Sequence, residues 1–260
     1  MFLQQILEKQ VAVVVRSKAR RPLRQLFEEL DRASPELRPF KEQLSGATLR
    51  LIAEVKQASP SKGRLCQNFN PGALGVSYEQ AGAAAISVLT EESYFQGSLE
   101  YLKLVKVKTR RTPVLRKEFI IDPYQVVEAR VYGADAVLLI VAALTPDRLE
   151  QLITETQNLG MTPLVEVHNR DELRIALDCG ATVIGINNRD LHTLEVSLET
   201  TYRLAADLPA GVIKVSESGI SCRNDLINLE RAGVNAVLIG EALVTAADPG
   251  RKINELLGVV

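Results

Sequence analysis

The 260-residue sequence has no tryptophan, two histidines, three cysteines and two methionines, and it carries a net charge of only -1. Each shortage narrows what the chain can be. Cys66, Cys179 and Cys222 are odd in number and far apart, with no Cys-x-x-Cys pair, which argues against a disulfide framework and a zinc site and leaves them as reduced thiols. His168 and His192 are too few for a histidine-built metal centre; no metal is expected, although counting alone leaves a carboxylate-bound Mg²⁺ open. No apolar run approaches the ~20 residues that span a bilayer. The first residues, Met-Phe-Leu-Gln-Gln-Ile-Leu-Glu-Lys, lack a cationic leader and a small-residue cleavage site. With 31 basic against 32 acidic residues, no global field would recruit nucleic acid or an anionic membrane surface. A soluble cytoplasmic monomer that acts on small molecules is expected, with neither nucleic-acid nor membrane partners.

What is present is 46% hydrophobic and 24% charged, enough for a large core in either one α/β barrel or two smaller domains. Residues 1–48 read as a helical extension packed on the rest: Leu3, Leu7, Val11 and Val14 recur at helical spacing, and Leu23, Phe27 and Leu30 repeat the pattern after Pro22. Arg16, Lys18, Arg20 and Arg21 read as a solvated helix end. From Leu49 the pattern changes to short apolar runs: Leu49 to Val55, Ala84 to Leu89, Pro113 to Lys117, Ala136 to Val141, Thr162 to Val167, Val183 to Asn187, Val212 to Ser216 and Ala236 to Ile239. These suit strands buried on both faces, and helix-start signals follow at Asn70-Pro71, Ser98, Asp122-Pro123, Thr145-Pro146, Asn169, Ser197 and Asp225. Eight strand–helix units predict an α/β fold, a (β/α)₈ TIM barrel over residues 49–260.

An internal repeat supports the barrel. Gly82-Ala83, Gly133-Ala134, Gly180-Ala181 and Gly233-Val234 lead into every second strand. The intervening strands end in charge, at Glu54 and Lys56, at Arg116, Lys117 and Glu118, at Glu166 and His168, and at Glu217. In a barrel these ends converge on one mouth, so Lys56 and Lys117 become candidate acids and Glu54, Glu166 and Glu217 candidate bases, with Asn187 as a neutral partner. Strand parity puts Lys117 on the face of Leu115 and Phe119, and Asn187 on that of Gly185 and Arg189. The two lysines are expected to crowd one another, so that losing Lys117 would cost no stability. Ser218-Gly219 after the seventh strand and Gly240-Glu241 after the eighth expose backbone N–H groups where barrels hold phosphate, with the Glu241 carboxylate turned away. Valine at Gly219 or Gly240 is therefore expected to raise KM more than it lowers kcat.

Glu54-Val55-Lys56, Ser59-Pro60-Ser61-Lys62-Gly63, Ser87-Val88-Leu89-Thr90-Glu91, Tyr94-Phe95-Gln96-Gly97-Ser98, Arg116-Lys117-Glu118-Phe119-Ile120, Val165-Glu166-Val167-His168, Gly185-Ile186-Asn187-Asn188-Arg189-Asp190-Leu191 and Ser216-Glu217-Ser218-Gly219-Ile220 resemble the indole-3-glycerol-phosphate synthase family. The likeness runs from about Leu51 to Leu243. Departures are Glu118, where the family commonly has Asp, and Arg64-Leu65-Cys66 in the first loop. The resemblance implies conversion of 1-(2-carboxyphenylamino)-1-deoxyribulose 5-phosphate into indole-3-glycerol phosphate, CO₂ and water in tryptophan biosynthesis, with no cofactor. It implies Lys117 as the acid in ring closure, with Lys56 meeting the substrate carboxylate and Glu166, Lys56 and Glu54 dividing the dehydration. Asn187 and Glu217 would orient polar groups, Arg189 and Ser59 would assist anion binding, and Phe119 with Leu138 would wall the aromatic ring. Ser218, Gly219, Leu238, Gly240 and Glu241 complete the implied substrate site. Two alternatives stand beside this: another phosphate-binding barrel enzyme such as phosphoribosylanthranilate isomerase, and a barrel kept as a non-catalytic scaffold.

Overall fold

A strand buried on both faces alternates between two cores, and in the computed structural model those cores are separate shells. The structure describes residues 2–259 apart from 61, 67 and 192, so Ser61 of the first-loop motif and His192 lie outside the described residues. Eight parallel strands, β1 (Arg50–Val55), β2 (Ala85–Leu89), β3 (Val114–Lys117), β4 (Ala136–Ile140), β5 (Thr162–Val167), β6 (Val183–Asn187), β7 (Ile213–Glu217) and β8 (Ala236–Ile239), close in sequence order. Closure is made by β8 against β1, where Ile52 stands beside Leu238. Ile52, Leu115, Leu138, Leu164, Val215 and Leu238 fill the interior. Their neighbours in sequence, such as Ala53, Val114, Val137, Val165 and Val237, pack outward with the helices.

Helix starts follow the sequence closely in the first units, because a short polar side chain satisfies a free N–H there. Asn70 accepts from Ala73, Ser98 from Glu100, Asp122 from Tyr124, Thr145 from Arg148 and Asn169 from Glu172. Two expectations shift. The helix Glu199–Ala205 begins beyond Ser197 with no side-chain cap, and Asp225 lies inside Arg223–Arg231, accepting the N–H groups of Ser221 and Cys222. The four repeat glycines do adopt left-handed backbone, but so do Gly160 before β5 and Gly211 before β7. The device is therefore not confined to alternate strands, although the helix Leu99–Lys108 before β3 does without it and ends at an extended Thr109.

Before β1 come α1 (Phe2–Arg20), α2 (Leu23–Ala33) and α3 (Phe40–Gln43). Their buried faces differ from the expected ones. Ile6, Gln10 and Val14 are buried on α1 and Leu26 on α2, while Val11, Leu23 and Phe27 are exposed. Where apolar residues crowd, several helical stripes are equally periodic, and only the docking partner selects one. On α1 Gln10 donates to Glu118 at 2.7 Å and Lys18 to Asp122 at 2.8 Å, both just past β3. Leu26 packs on Tyr124 and Val127 of the helix after β3. Arg38 donates to the carbonyls of Thr112, Lys106 and Thr109, and its N–H meets the buried Asp135. Phe40 and Leu44 then join Ala85, Ala136, Val183 and Ala236, the opening residues of the interior strands, and close the bottom of the barrel. The extension thus runs from the mouth to the floor. Of the basic cluster, Lys18 pairs with Asp122 and Arg21 with Glu29.

Phe40 is 1% exposed, so Phe40→Ala should leave a cavity in the barrel floor and cost about 3–5 kcal/mol. Urea unfolding measures this; a loss under about 1 kcal/mol would show that the floor is sealed without the ring.

Candidate active site

The interior faces that are apolar at the floor turn polar at the C-terminal strand ends. Odd strands contribute long ionisable side chains: Glu54 and the following Lys56 from β1, Lys117 from β3, Glu166 from β5 and Glu217 from β7. Among the even strands, Ile140 stands beside Glu166 and Leu238 beside Glu217, while two glycines leave room for carboxylates. A Cβ on Gly185 of β6 would collide with Glu217 Oε1, and one on Gly240, just past β8, would collide with Glu54 Oε2 and stand 3.1 Å from Lys56 Nζ. The carboxylates therefore occupy space that these glycines vacate. Arg116 and Glu118, grouped with the mouth charges by sequence, do not belong to it. Strand parity turns them outward: Arg116 meets Glu128 at 3.0 Å, and Glu118 accepts from Gln10 and Thr90.

Two ion-paired groups result. Lys117 Nζ lies 3.0 Å from Glu166 Oε2 and 2.5 Å from Glu217 Oε2. Lys56 Nζ lies 2.8 Å from Glu54 Oε2. Burial disfavours the charged form of Lys117, but Glu166, Glu217 and Glu54 overcome it and hold the ammonium well above its ordinary pKa. Burial likewise disfavours the Glu166 anion, yet Lys117 and His168 keep its pKa below the usual carboxylate range. Glu217 goes the other way: burial dominates, Lys117 only partly offsets it, and repulsion from Glu166 adds, so its pKa is pushed up to about 7. One ammonium thus serves two unequal carboxylates. The expectation that the lysines crowd each other is overturned. Each is neutralised by its own carboxylate, and removing Lys117 would strand Glu166 and Glu217 without a counter-charge. Glu217 Oε1 and Ser87 Oγ are buried polar atoms without hydrogen-bond partners.

The other sequence-selected residues surround this centre. Leu138 and Leu238 are buried in the interior cluster, with Phe119 packed against it and its ring 6.5 Å from that of Phe95. Ser59 lies in a small hairpin, Ala58–Ser59 with Gly63–Arg64, where its Oγ accepts the Lys62 N–H at 3.3 Å. Lys62 Nζ crosses to Glu241 Oε1 at 2.6 Å, so the Glu241 carboxylate is directed into an ion pair with the first loop. Asn187 accepts the N–H of Arg189, whose guanidinium donates to the Leu194 carbonyl. Ser218 and Gly219 are consecutive left-handed residues, with φ of 68° and 80°.

The motifs after β6 hold further contributors. Buried Asn188 donates to Ser216 Oγ and to the Glu217 and Ser218 carbonyls, and accepts from Thr201, tying the loop after β6 to that after β7. Its parity, opposite to Asn187, signals an outward role. Gly185 could be found only from the space it leaves. Among the described residues no group of three or more His, Cys, Asp or Glu side chains is placed to hold a metal ion.

The closed barrel with an ionisable mouth defines an enzyme of the (β/α)₈ class. Its solved likenesses include a KGPDC from Streptococcus mutans, at 14% identity and TM-score 0.64 over 81% of this chain and 96% of that one. A 3-hexulose-6-phosphate synthase matches at 14% identity and TM-score 0.65 over 82% and 100%. At such identity the likeness concerns the fold. The sequence goes further: residues 3–256 match the family model described as indole-3-glycerol phosphate synthase. Proteins of that name from Dehalococcoides mccartyi strain CBDB1 and Roseiflexus sp. strain RS-1 are similar to it, at 50% identity over 99% of this chain and 100% of the relative, and at 53% over 87% of each. The chain belongs to the indole-3-glycerol phosphate synthase family, a family of carboxy-lyases of tryptophan biosynthesis. Neither the isomerase nor the scaffold alternative is favoured.

The glycine geometry changes one expectation. A methyl group in Gly240→Ala meets Glu54 and Lys56 before it meets any ligand. It should therefore lower kcat by about 10-fold or more, roughly 1.4 kcal/mol, and not act mainly on KM. Steady-state kinetics separate the two, and a pure KM effect would return Gly240 to a phosphate-binding role alone.

Proposed function

We propose that Lys117 is the general acid with which this chain converts 1-(2-carboxyphenylamino)-1-deoxyribulose 5-phosphate into indole-3-glycerol phosphate, CO₂ and water. The observation that carries the reading is the Lys117 ammonium, held charged at the mouth between Glu166 and Glu217. Ring closure forms a bond between the anilino ring carbon that bears the carboxylate and the ribulose carbonyl carbon. The carbonyl oxygen becomes an alkoxide, a stronger base than an amine, and takes a proton from Lys117 Nζ. Loss of CO₂ restores aromaticity. The new hydroxyl then leaves as water after protonation, and a carboxylate removes the remaining proton. Glu166, ionised and buried, suits the base, with Lys56 and Glu54 sharing the acid work once Lys56 has released the substrate carboxylate.

Asn187 and Glu217 orient the hydroxyl groups, Phe119 with Leu138 and Leu238 walls the ring, and Ser59 and Arg189 assist the anionic groups. The phosphate sits at the backbone of Ser218-Gly219 and Gly240-Glu241. The substrate supplies both the electron sink and the leaving groups, so no cofactor takes part in this scheme. A phosphate ester does not cross a bilayer unaided, which supports a cytoplasmic site of action; a monomeric state is part of the same reading, and sedimentation tests it.

Lys117→Met keeps the apolar stem and removes the acid. Turnover should fall about 10² to 10⁴-fold, about 3–5 kcal/mol at the barrier. Stability should fall as well, because two buried carboxylates lose their counter-charge, with Glu217 protonation limiting the loss. Lys117→Arg should not recover activity, since guanidinium does not give up its proton near neutrality. Indole absorbance and fluorescence follow the reaction against a protein that contains no tryptophan. Near-normal turnover in a folded methionine variant would move the acid role to Lys56.

A further inference from the structure

Lys117 engages only one oxygen of Glu166. The other, Oε1, stands 3.3 Å from His168 Nε2, close enough for an ion pair although off the line of a hydrogen bond. The opposite ring nitrogen, Nδ1, lies 3.0 Å from Glu172 Oε2, and the same oxygen accepts the backbone N–H of His168 at 2.8 Å. Glu172 Oε1 in turn accepts from Asn169 Nδ2 at 2.7 Å, and the Glu172 N–H returns to Asn169 Oδ1 at 3.0 Å. The imidazole is thus bracketed by carboxylates at both nitrogens, one from β5 and one from the first turn of the helix Arg170–Asp178. Its side chain is 11% exposed. Parity explains the placement: Leu164 and Glu166 share the interior face of β5, and His168, one residue past its end, continues the alternation.

We propose that His168 is a positioning residue for the reaction, clamped by Glu172 and in turn fixing Glu166 with Oε2 toward Lys117 and Oε1 toward the imidazole. This rests on the assignment of Glu166 as the base in dehydration. A carboxylate held only by Lys117 can rotate or accept a proton at its free oxygen; an imidazolium there opposes both. The charged groups concerned are Glu166 of β5 and Glu172 of the following helix around the ring, with Lys117 of β3 and Glu217 of β7 beyond Glu166. Burial alone would lower the His168 pKa, but the contacts with Glu166 and Glu172 reverse this and raise it to about 10. The sign follows: the stabilisation from the charged ring is fully present below the ordinary imidazole value near ~6.5 and is lost as pH rises through about 10.

The test compares wild type with His168→Leu, His168→Gln and Glu172→Gln, using the pH profile of kcat and ¹⁵N NMR of the imidazole. In His168→Leu, kcat near pH 7.5 should fall about 10-fold or more with KM changed less than about 3-fold, and the acid limb of kcat should move upward by about one pH unit as Glu166 gains proton affinity. His168→Gln, which restores a donor without charge, should recover part of the rate but not the limb. Glu172→Gln should shift the limb in the same direction, less far, and let the His168 ring lose its proton at lower pH. A folded leucine variant with an unmoved limb and normal kcat would overturn the proposal. Should that variant not fold, Glu172→Gln decides by the same limb and ring titration. An inactive wild type would defeat the synthase reading instead, and the NMR arm would then decide the clamp: a ring doubly protonated at pH 8.5 supports it, and titration near neutrality overturns it.

Discussion

Two carboxylates share one ammonium at the mouth of this barrel, and much of the surrounding structure exists to make that arrangement tenable. Glu166 and Glu217 are almost fully buried, where an isolated anion is severely disfavoured. Lys117 compensates both, but unequally, because Glu166 has a second cation at its other oxygen and Glu217 has an unpartnered one. The inequality drives their pKa values apart: burial raises both, Lys117 and His168 reverse this at Glu166, and at Glu217 Lys117 only partly offsets it.

Steric provision for these charges comes from strands that have no charge themselves. At the C-terminal strand ends Gly185 and Gly240 are complements of Glu217 and Glu54, each leaving the space that a carboxylate occupies. Below this layer the interior is filled mainly by apolar side chains, and the floor is closed by Phe40 and Leu44. The same N-terminal extension reaches the rim through the Gln10 contact with Glu118. Rim and floor are therefore linked through one continuous segment outside the barrel.

Fold and family carry different information here. Barrels of 14% identity reproduce the architecture and leave the chemistry open, as expected where function resides in loops and strand ends. Relatives near 50% identity over the whole chain define the family. The apolar part of the two shells needs volume more than particular side chains, which is why the architecture tolerates such divergence.

The sequence by itself determined the eight-strand alternation, most helix starts and the residues that gather at the mouth, because these depend on local properties: two-residue parity, the caps available to Asn, Asp, Ser and Thr, and the convergence of strand ends that closure forces. Glu54, Lys56, Lys117, Glu166 and Glu217 were legible for that reason. Tertiary structure alone decided who pairs with whom. Arg116 and Glu118 adjoin Lys117 in sequence yet face away from it. Val11 and Phe27 fit a helical stripe yet stay exposed, since Gln10 and Leu26 meet the docking surface. In sequence His168 shows only as a strand-end charge and Gly185 only as a parity mate of Asn187, because one is held by a carboxylate of the following helix and the other matters through volume it does not fill. Such roles are distances between atoms far apart along the chain, and only packing sets them.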